Sequence, residues 1–176
     1  MSAEHEHPSV VLIGPPGAGK TTIGRRLARV LNQEFVDSDA VIEHRVGKSC
    51  SEIFAEFGEE YFRELEAEVI AEALRQPGIL ALGGGAVTNP GTRALLEEQT
   101  VVFVDVSDDV GIERTTRPHN RHQRPLLAGA DASTRYRNLM AQRRPLYREA
   151  ADYRARTDQR SPQQVVAEIL GFLETL

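Results

Sequence analysis

The sequence is poor in cysteine, in lysine and in long apolar runs, and each shortage narrows what the protein can be. The single cysteine, Cys50, allows neither an internal disulfide nor a cysteine-based zinc site. No apolar run reaches the roughly 18 residues of a membrane-spanning helix. The first residues, MSAEHEHP, lack the basic and apolar regions of a secretory signal, so we expect a cytoplasmic protein.

The 176 residues have an ordinary globular composition, with 40% hydrophobic and 27% charged residues. The chain shows no internal repeat and no linker, and its length suits one domain with a core of its own. We therefore predict a disordered tail over residues 1–8 and a single domain over residues 9–176.

Positive charge is concentrated in one part of a chain whose net charge is −5. Residues 114–160 contain twelve arginines, no lysine and four acidic residues. A basic segment on an acidic protein favours an anionic ligand, although solvated helix faces would give the same count.

Short apolar segments alternate with helical patterns along the chain. The predicted strands cover residues 9–14, 35–37, 79–82, 100–106 and 153–156. The predicted helices cover residues 20–31, 59–76, 92–98, 108–116, 132–151 and 163–174, and a capping box from Ser49 to Glu52 opens another. Buried strands separated by helices indicate a three-layer α/β/α fold around a five-stranded parallel sheet. Ligands in such a fold bind beyond the carboxyl ends of the strands.

The strongest motif is GPPGAGKT, residues 14–21, which fits the pattern G-x-x-x-x-G-K-[ST] between a predicted strand and a predicted helix. Its glycines let successive backbone N–H groups point at phosphate oxygens, and the helix N-terminus adds positive potential. Lys20 is placed to reach the β- and γ-phosphates, and the Thr21 hydroxyl to ligate Mg²⁺. A dinucleotide-binding motif fits less well, because Thr22 occupies the position of its third glycine.

Carboxylates end two of the predicted strands. Asp37 and Asp39 follow the second strand, and residues two apart on an extended segment point the same way, so both would face the cleft. One could hold Mg²⁺ through water while the other orients or deprotonates an acceptor hydroxyl. Asp105 ends an apolar strand in the pattern of a Walker B magnesium carboxylate. Any of these residues could instead cap a helix, and an Asx cap would start one at Ala40.

Arg63 and the glycines at residues 83–85 each allow a functional and a structural interpretation. The spacing of Arg63 alone favours pairing with Glu59, Glu60 or Glu66 on a solvated helix face. The three glycines permit close backbone approach to a ligand, but they would also suit a simple turn.

The segment RPHNRHQR, residues 117–124, reads as part of a long basic loop. Loops of this kind are often active-site lids, although a disordered loop would look the same. His119 and His122 have no third metal ligand nearby, which argues against a metal site. The segment contains no aromatic residue on which an RNA base could stack.

Taken together, these motifs resemble those of the shikimate kinases, small relatives of the nucleoside monophosphate kinases. The resemblance covers residues 10–173 and rests on GPPGAGKTTIGRRLA, FVDSD, IFAEFGEEYFRELE, LGGGAV, RPLL and RRPLY. The order of the DSD, FRELE, GGG and RPLY elements separates this family from the gluconate kinases and adenylate kinases. The resemblance implies a P-loop fold and transfer of the ATP γ-phosphoryl group to the 3-hydroxyl of shikimate, in the pathway to chorismate and aromatic amino acids.

The resemblance also implies roles for individual residues. Those implied to be catalytic are Lys20, Asp39 and Arg124. Those implied to bind ATP are Gly17, Ala18, Gly19, Lys20, Thr21, Thr22, Arg114, Arg124, Arg160 and Pro162. Those implied to bind shikimate are Asp39, Arg63, Gly83, Gly84, Gly85 and Arg143, which reverses the interpretation of Arg63 from spacing alone. The implied cofactor is Mg²⁺, held directly by Thr21 and through water by Asp37 in preference to Asp105.

Two parts of the chain are implied to surround the substrates, namely helices within about residues 39–63 and a lid over about residues 115–131. The lid is a few residues longer than is usual in the family, and Arg124 is placed in it by the Pro-Leu-Leu that follows. The implied partners are ATP, ADP and shikimate, with no nucleic acid and no membrane, and the protein is expected to be a monomer.

Three alternatives remain open from the sequence. The chain could phosphorylate another small hydroxy acid such as gluconate, act as a non-catalytic nucleotide-binding switch, or bind RNA through its basic segment. The presence of Lys20, Thr21, Asp39, Arg63 and Arg143 argues against a non-catalytic switch. Binding to RNA would depend steeply on salt concentration.

Overall fold

A parallel sheet of five strands forms the centre of the computed structural model, which describes residues 6–116 and 131–176. The strands run in the order β2-β3-β1-β4-β5. Their bounds are β1 Val10–Ile13, β2 Phe35–Asp37, β3 Ile79–Ala81, β4 Val101–Asp105 and β5 Tyr153–Arg156. The predicted five-stranded parallel sheet is confirmed, and three of the strands are one or two residues shorter than predicted.

Seven α-helices and one short 3₁₀ helix surround the strands within the described residues. The α-helices are α1 Lys20–Leu31, α2 Ser38–Val46, α3 Cys50–Ala73, α4 Pro90–Leu96, α5 Asp108–Thr115, α6 Ala132–Ala150 and α7 Pro162–Leu173. The 3₁₀ helix, Ala86–Thr88, follows β3.

Helices cover both faces of the sheet, because the central strands are apolar on both sides. Val10 and Leu12 of β1 belong to a core cluster shared with α1 and α7. The alternate residues, Val11 and Ile13, belong to a second cluster shared with α3 and α6. The predicted three-layer α/β/α architecture is thereby confirmed.

The start of α2 differs from the prediction. This helix begins at Ser38 rather than Ala40, because the Asp37 carboxylate accepts a hydrogen bond of 2.9 Å from the Asp39 backbone N–H and caps the helix. Asp39 therefore lies in the first helical turn and not on an extended segment. The geometric reason given for pairing the two carboxylates was wrong, although both line the same cleft.

One residue interrupts α3. Gly58 has φ 88° and ψ 169°, so the segment consists of two helices that meet at this residue. Ser49 caps the first helix, its hydroxyl accepting a hydrogen bond from the Glu52 backbone N–H. The predicted capping box is only half formed, because the Glu52 carboxylate accepts from the Ser49 hydroxyl and not from the Ser49 backbone N–H. The second helix begins near the predicted Glu59 but ends at Ala73, three residues before the predicted end at residue 76.

The loop between β1 and α1 turns sharply against the end of β4. Gly14 has φ +147°, and a Cβ atom at this position would overlap the Val104 carbonyl oxygen. Only glycine therefore allows the chain to leave β1 in this direction. Gly19 is the N-cap of α1, which places Lys20 and Thr21 in the first helical turn beside the loop.

Among the helices of residues 6–116 and 131–176, none combines the length and the apolar character that crossing a membrane requires.

Candidate active site

A cleft of about 650 Å³ opens beyond the carboxyl ends of β1, β2 and β3. Every site residue predicted from the sequence that the structure describes lines this cleft, namely Gly17, Ala18, Gly19, Lys20, Thr21, Thr22, Asp37, Asp39, Arg63, Gly83, Gly84, Gly85, Arg114, Arg143, Arg160 and Pro162. Arg124 and the predicted lid between residues 117 and 130 lie outside the described residues.

The glycine-rich loop and the first turn of α1 form one wall of the cleft. The Lys20 ammonium donates hydrogen bonds of 2.7 Å and 3.0 Å to the carbonyl oxygens of Gly14 and Pro15. At the far side of the loop, Arg114 of α5 donates to the Gly17 carbonyl oxygen over 2.9 Å. Backbone N–H groups, a helix N-terminus and two cationic side chains thus meet at one place, which is the arrangement that binds phosphate groups.

Two oxygen ligands for a cation converge beside this loop. The Thr21 hydroxyl, at the start of α1, donates a hydrogen bond of 3.1 Å to the Asp37 carboxylate at the end of β2. Hydroxyl and carboxylate oxygens suit Mg²⁺, which usually completes its coordination with water and substrate phosphates. The described residues contain no cluster of three histidine, cysteine or acidic side chains able to hold a metal by themselves. A cation held by Thr21 and Asp37 would take its remaining ligands from water and from bound phosphate groups.

Asp39 is a half-buried carboxylate in an acidic part of the cleft. Burial raises the pKa of Asp39 to about 7, and the Asp37 and Glu66 carboxylates add to this rise against the opposing effect of Lys20. A carboxylate with a pKa near neutrality can accept a proton from a substrate hydroxyl more readily than an ordinary aspartate.

The loop after β3 passes close to these side chains. A Cβ atom at Gly83 would lie 2.7 Å from Asp39 Oδ1 and 3.0 Å from Glu66 Oε2, and one at Gly85 would overlap the Arg63 guanidinium. The Gly83 backbone N–H donates to the buried Ser38 hydroxyl over 3.1 Å, which fixes the loop to α2. The absence of side chains brings the backbone of residues 83–85 into the cleft wall.

Two arginines reach the cleft from different helices. Arg63 of α3 donates to the Glu66 carboxylate over 2.8 Å, and Arg143 of α6 is only 5% exposed. The pKa of Glu66 is raised by burial, and the guanidinium groups of Arg63 and Arg143 offset only part of this rise. Two of the predicted pairings of Arg63 are present, one with the exposed Glu59 over 3.9 Å and a closer one with Glu66, which lies inside the cleft and not on a solvated face. Two guanidinium groups in such a place can bind a carboxylate.

Arg160 and Pro162 line the cleft where the chain enters α7. Arg160, which precedes this helix, forms an ion pair with Glu168 of α7 and also donates to the Arg156 carbonyl oxygen. The nucleotide-binding residues expected from the sequence thus extend from the glycine-rich loop to the start of α7.

Asp105, the competing magnesium ligand, serves another purpose. Its carboxylate is 2% exposed and forms ion pairs with Arg144 of α6 and Arg154 of β5. It does not line the cleft among the described residues, and Ser107, not Asp105, caps α5. The ion pairs join β4, β5 and α6.

Sequence reasoning missed several residues of the site. Phe54 and Phe62 line the cleft with ring centroids 6.0 Å apart, and the Arg63 guanidinium lies 5.3 Å from the Phe62 ring centroid. Cys50 lines the same wall, where burial and neighbouring carboxylates raise the pKa of its thiol. Glu66 was considered only as a helix partner of Arg63. The available signal was that Phe54, Phe62 and Glu66 belong to the motif IFAEFGEEYFRELE and that Cys50 lies three residues before it.

Comparisons with known proteins agree with one another. A family model described as "Shikimate kinase" matches residues 16–174. Shikimate kinases of Corynebacterium diphtheriae and Corynebacterium efficiens are 59% and 57% identical to this chain, over 96% and 95% of its length and 96% and 97% of theirs. The structure of an Acinetobacter baumannii shikimate kinase in complex with shikimate is 37% identical and superposes with a TM-score of 0.89, covering 98% of this chain and 95% of that one.

Proposed function

We propose that this chain, which belongs to the shikimate kinase family, carries out the reaction of that family in the cleft described above. That reaction transfers the γ-phosphoryl group of ATP to the 3-hydroxyl of shikimate and yields shikimate 3-phosphate and ADP, a step toward chorismate and the aromatic amino acids. The observation that carries the proposal is the meeting, in one cleft, of a phosphate-binding loop with a carboxylate and two arginines suited to a small hydroxy acid.

ATP would bind with its triphosphate along the glycine-rich loop. Gly17, Ala18, Gly19 and the residues 20–22 would hold the phosphates through backbone N–H groups, the Lys20 ammonium and hydroxyl groups. The remaining contacts with the nucleotide would come from Arg114, Arg124, Arg160 and Pro162. Binding would replace the present hydrogen bonds from Lys20 to the loop carbonyls by bonds to phosphate oxygens.

Mg²⁺ would be held directly by Thr21 and through water by Asp37, whose oxygens already lie 3.1 Å apart. When bound, the ion neutralises phosphate charge and fixes the orientation of the phosphate groups. Asp105 would take no part, since its carboxylate is already engaged by two arginines.

Shikimate would bind at the other end of the cleft. Arg63 and Arg143 would hold its carboxylate through charge-assisted hydrogen bonds, while Asp39 and the backbone of residues 83–85 contact the ring hydroxyls. The structure of the Acinetobacter baumannii relative is a complex with shikimate, which supports shikimate as the acceptor.

The chemical step requires mainly positioning and charge neutralisation. Asp39 would orient the 3-hydroxyl in line with the γ-phosphorus and accept its proton as the new P–O bond forms. The bond from the γ-phosphorus to the β,γ-bridging oxygen breaks, and its electrons stay on ADP. Lys20 and Arg124 would stabilise the negative charge of the phosphoryl group during transfer.

We further propose the division of the chain that the family resemblance implies. Residues 9–176 would form one domain, in which the helices of about residues 39–63 hold shikimate and the loop of about residues 115–131 closes over ATP to exclude water. The protein would act in the cytoplasm as a monomer, without nucleic acid or membrane partners.

The test is ADP release by the purified protein with ATP, magnesium and shikimate, measured with and without a chelator. We expect turnover that requires both shikimate and the metal, and a product identified by NMR as the 3-phosphate ester. Gluconate serves as the matched acceptor that should not support turnover. Rapid phosphorylation of gluconate, or nucleotide binding without turnover on either acid, would overturn the proposal.

A further inference from the structure

Helix α6 contains two completely buried tyrosines that do not line the cleft. Tyr136 and Tyr147 are eleven positions apart, which is close to three turns of an α-helix, so both side chains leave the same side of α6. Both belong to the core cluster on that face of the sheet. A phenol in a core needs a hydrogen-bond partner, and each of these hydroxyls finds one on a loop of the active site.

Tyr136 is tied to the glycine-rich loop. Its hydroxyl donates a hydrogen bond of 2.9 Å to the Pro16 carbonyl oxygen, across 120 residues of sequence. It also lies against Gly111 of α5, where any Cβ atom would overlap the phenol oxygen. The hydroxyl is therefore held between α5 and the loop, and it fixes the peptide that precedes Gly17.

Tyr147 is tied to the acceptor end of the cleft. Its hydroxyl donates a hydrogen bond to the Gly84 carbonyl oxygen. The Arg143 guanidinium, one helical turn away, lowers the pKa of the same phenol through its positive charge, against the larger effect of burial. Burial raises the pKa of Tyr147 to about 12, so the hydroxyl stays protonated and remains a donor across the neutral range. The phenol thus fixes a peptide of the glycine loop after β3.

We propose that Tyr147 is a positioning residue for the acceptor and Tyr136 a positioning residue for the nucleotide, so that α6 sets the relative placement of the two substrates. The proposal rests on the assignment of ATP and shikimate to the two ends of the cleft. Neither tyrosine lines the cleft, and each acts through a backbone carbonyl oxygen of a residue that does, Pro16 for Tyr136 and Gly84 for Tyr147.

The variants Tyr147→Phe and Tyr136→Phe separate this role from a purely structural one, since each keeps the ring in the core and removes a single oxygen. Each serves as the matched control for the other, on the same helix and at the same burial. For Tyr147→Phe we expect the KM for shikimate to rise about five- to tenfold with little change in the KM for ATP, the size typical of one lost hydrogen bond. For Tyr136→Phe we expect the KM for ATP to rise by a similar factor, with little change in the KM for shikimate.

Hydrogen–deuterium exchange of the protein without ligands tests the same idea independently of any substrate. Tyr147→Phe should speed exchange in the peptide covering residues 82–87 and leave the peptide covering residues 14–23 unchanged. Tyr136→Phe should speed exchange in the peptide covering residues 14–23 and leave the peptide covering residues 82–87 unchanged. If the tyrosines contributed only to stability, both variants would unfold at a lower temperature. Neither variant would then change one KM more than the other, or speed exchange in one of the two peptides more than in the other.

Equal changes of both KM values in each variant, or exchange that rises equally in both peptides, overturn the proposal. Wild-type enzyme that phosphorylates shikimate, with unchanged kinetics in both variants, refutes the positioning role and leaves the proposed function standing. If the wild-type protein does not phosphorylate shikimate, the proposed function is refuted. In that case the exchange pattern alone supports or overturns the link between each tyrosine and its loop.

Discussion

The Arg63 guanidinium donates a hydrogen bond of 2.8 Å to the Glu66 carboxylate, of which only 3% is exposed. The Glu66 side chain is therefore fixed in the cleft wall. Its carboxylate holds the Arg63 guanidinium near the Phe62 ring, so Arg63 is not free in solvent. An arginine oriented in advance loses little conformational entropy when it binds an anion.

Replacing Arg63 by alanine should raise the KM for shikimate about 10- to 100-fold, the range expected when a hydrogen bond to a charged group is lost. The KM for ATP should change little, because Arg63 lies at the acceptor end of the cleft. Steady-state kinetics with each substrate varied in turn measure both values. Arg45→Ala is the matched control, since Arg45 forms an exposed ion pair with Glu72 outside the cleft. Equal increases in the two KM values would contradict the role given to Arg63.

Replacing Lys20 by alanine should lower kcat by about 1,000-fold, because the charge that stabilises the transferring phosphoryl group is lost. The fold should persist, as monitored by circular dichroism, since the two hydrogen bonds that Lys20 donates to the Gly14 and Pro15 carbonyl oxygens lie in the loop and not in the hydrophobic core. Lys48→Ala provides the control, because the only other lysine forms its ion pair with Glu56 away from the cleft. Near wild-type turnover by the Lys20 variant would exclude the proposed chemistry of the loop.

The raised pKa of Asp39 predicts a conflict between stability and activity. Because the pKa rises from 3.8 to about 7 on folding, the native state binds more protons than the unfolded state between these values. The contribution of Asp39 to stability therefore falls as pH increases through this window, and it is most unfavourable above pH 7. Asp39→Asn should unfold at a higher temperature than wild type at pH 8, but not at pH 3.5, in metal-free buffer without nucleotide.

The same Asp39 substitution should nearly abolish turnover, since an amide cannot accept the hydroxyl proton. Thermal melts at several pH values and an activity assay together check both parts. An Asn variant that is less stable than wild type at pH 8 would show that the carboxylate is not destabilised by its surroundings.

Replacing Asp105 by asparagine should lower the free energy of unfolding by about 3 kcal/mol, because Arg144 and Arg154 would lose a buried carboxylate partner. The concentration of magnesium that gives half-maximal activity should stay the same at a temperature where the variant is folded. Denaturant unfolding and a magnesium titration measure the two effects. Asp109→Asn is the control, since its ion pair with Arg137 is exposed. A strongly shifted magnesium requirement would instead place Asp105 near the metal.

The glycine-rich loop could be predicted from sequence because all its parts are contiguous, from the end of β1 to the first turn of α1. The role of Arg63 could not be assigned from spacing, because a pairing of Arg63 with Glu66 three residues later is compatible with both a solvated helix face and the wall of a cleft. Burial decides between them, and burial depends on where distant segments pack. The start of α2 was misplaced for a local reason, since Asp37 and Asp39 are both good N-caps.

Tyr136 and Tyr147 show what local patterns do not contain. Both lie in the helix predicted over residues 132–151, and nothing in that local pattern distinguishes them from ordinary core residues. Their partners, the carbonyls of Pro16 and Gly84, lie 120 and 63 residues away in sequence. Only the fold brings them together, so their link to the two substrate ends was not predictable from the chain alone.

The break in α3 has a consequence for how the pocket could adapt to a different acid. Cys50 and Phe54 precede Gly58, whereas Phe62, Arg63 and Glu66 follow it. Within residues 6–116 and 131–176, and apart from the chain neighbours of Gly58, no heavy atom lies within 4 Å of the position where its side chain would begin, so main-chain torsion, not crowding, resists substitution there. The angle between the two helices of α3 therefore depends on the exposed backbone at Gly58. A substitution at Gly58 would change this angle, and with it the selectivity of the pocket, without changing any side chain that lines the pocket.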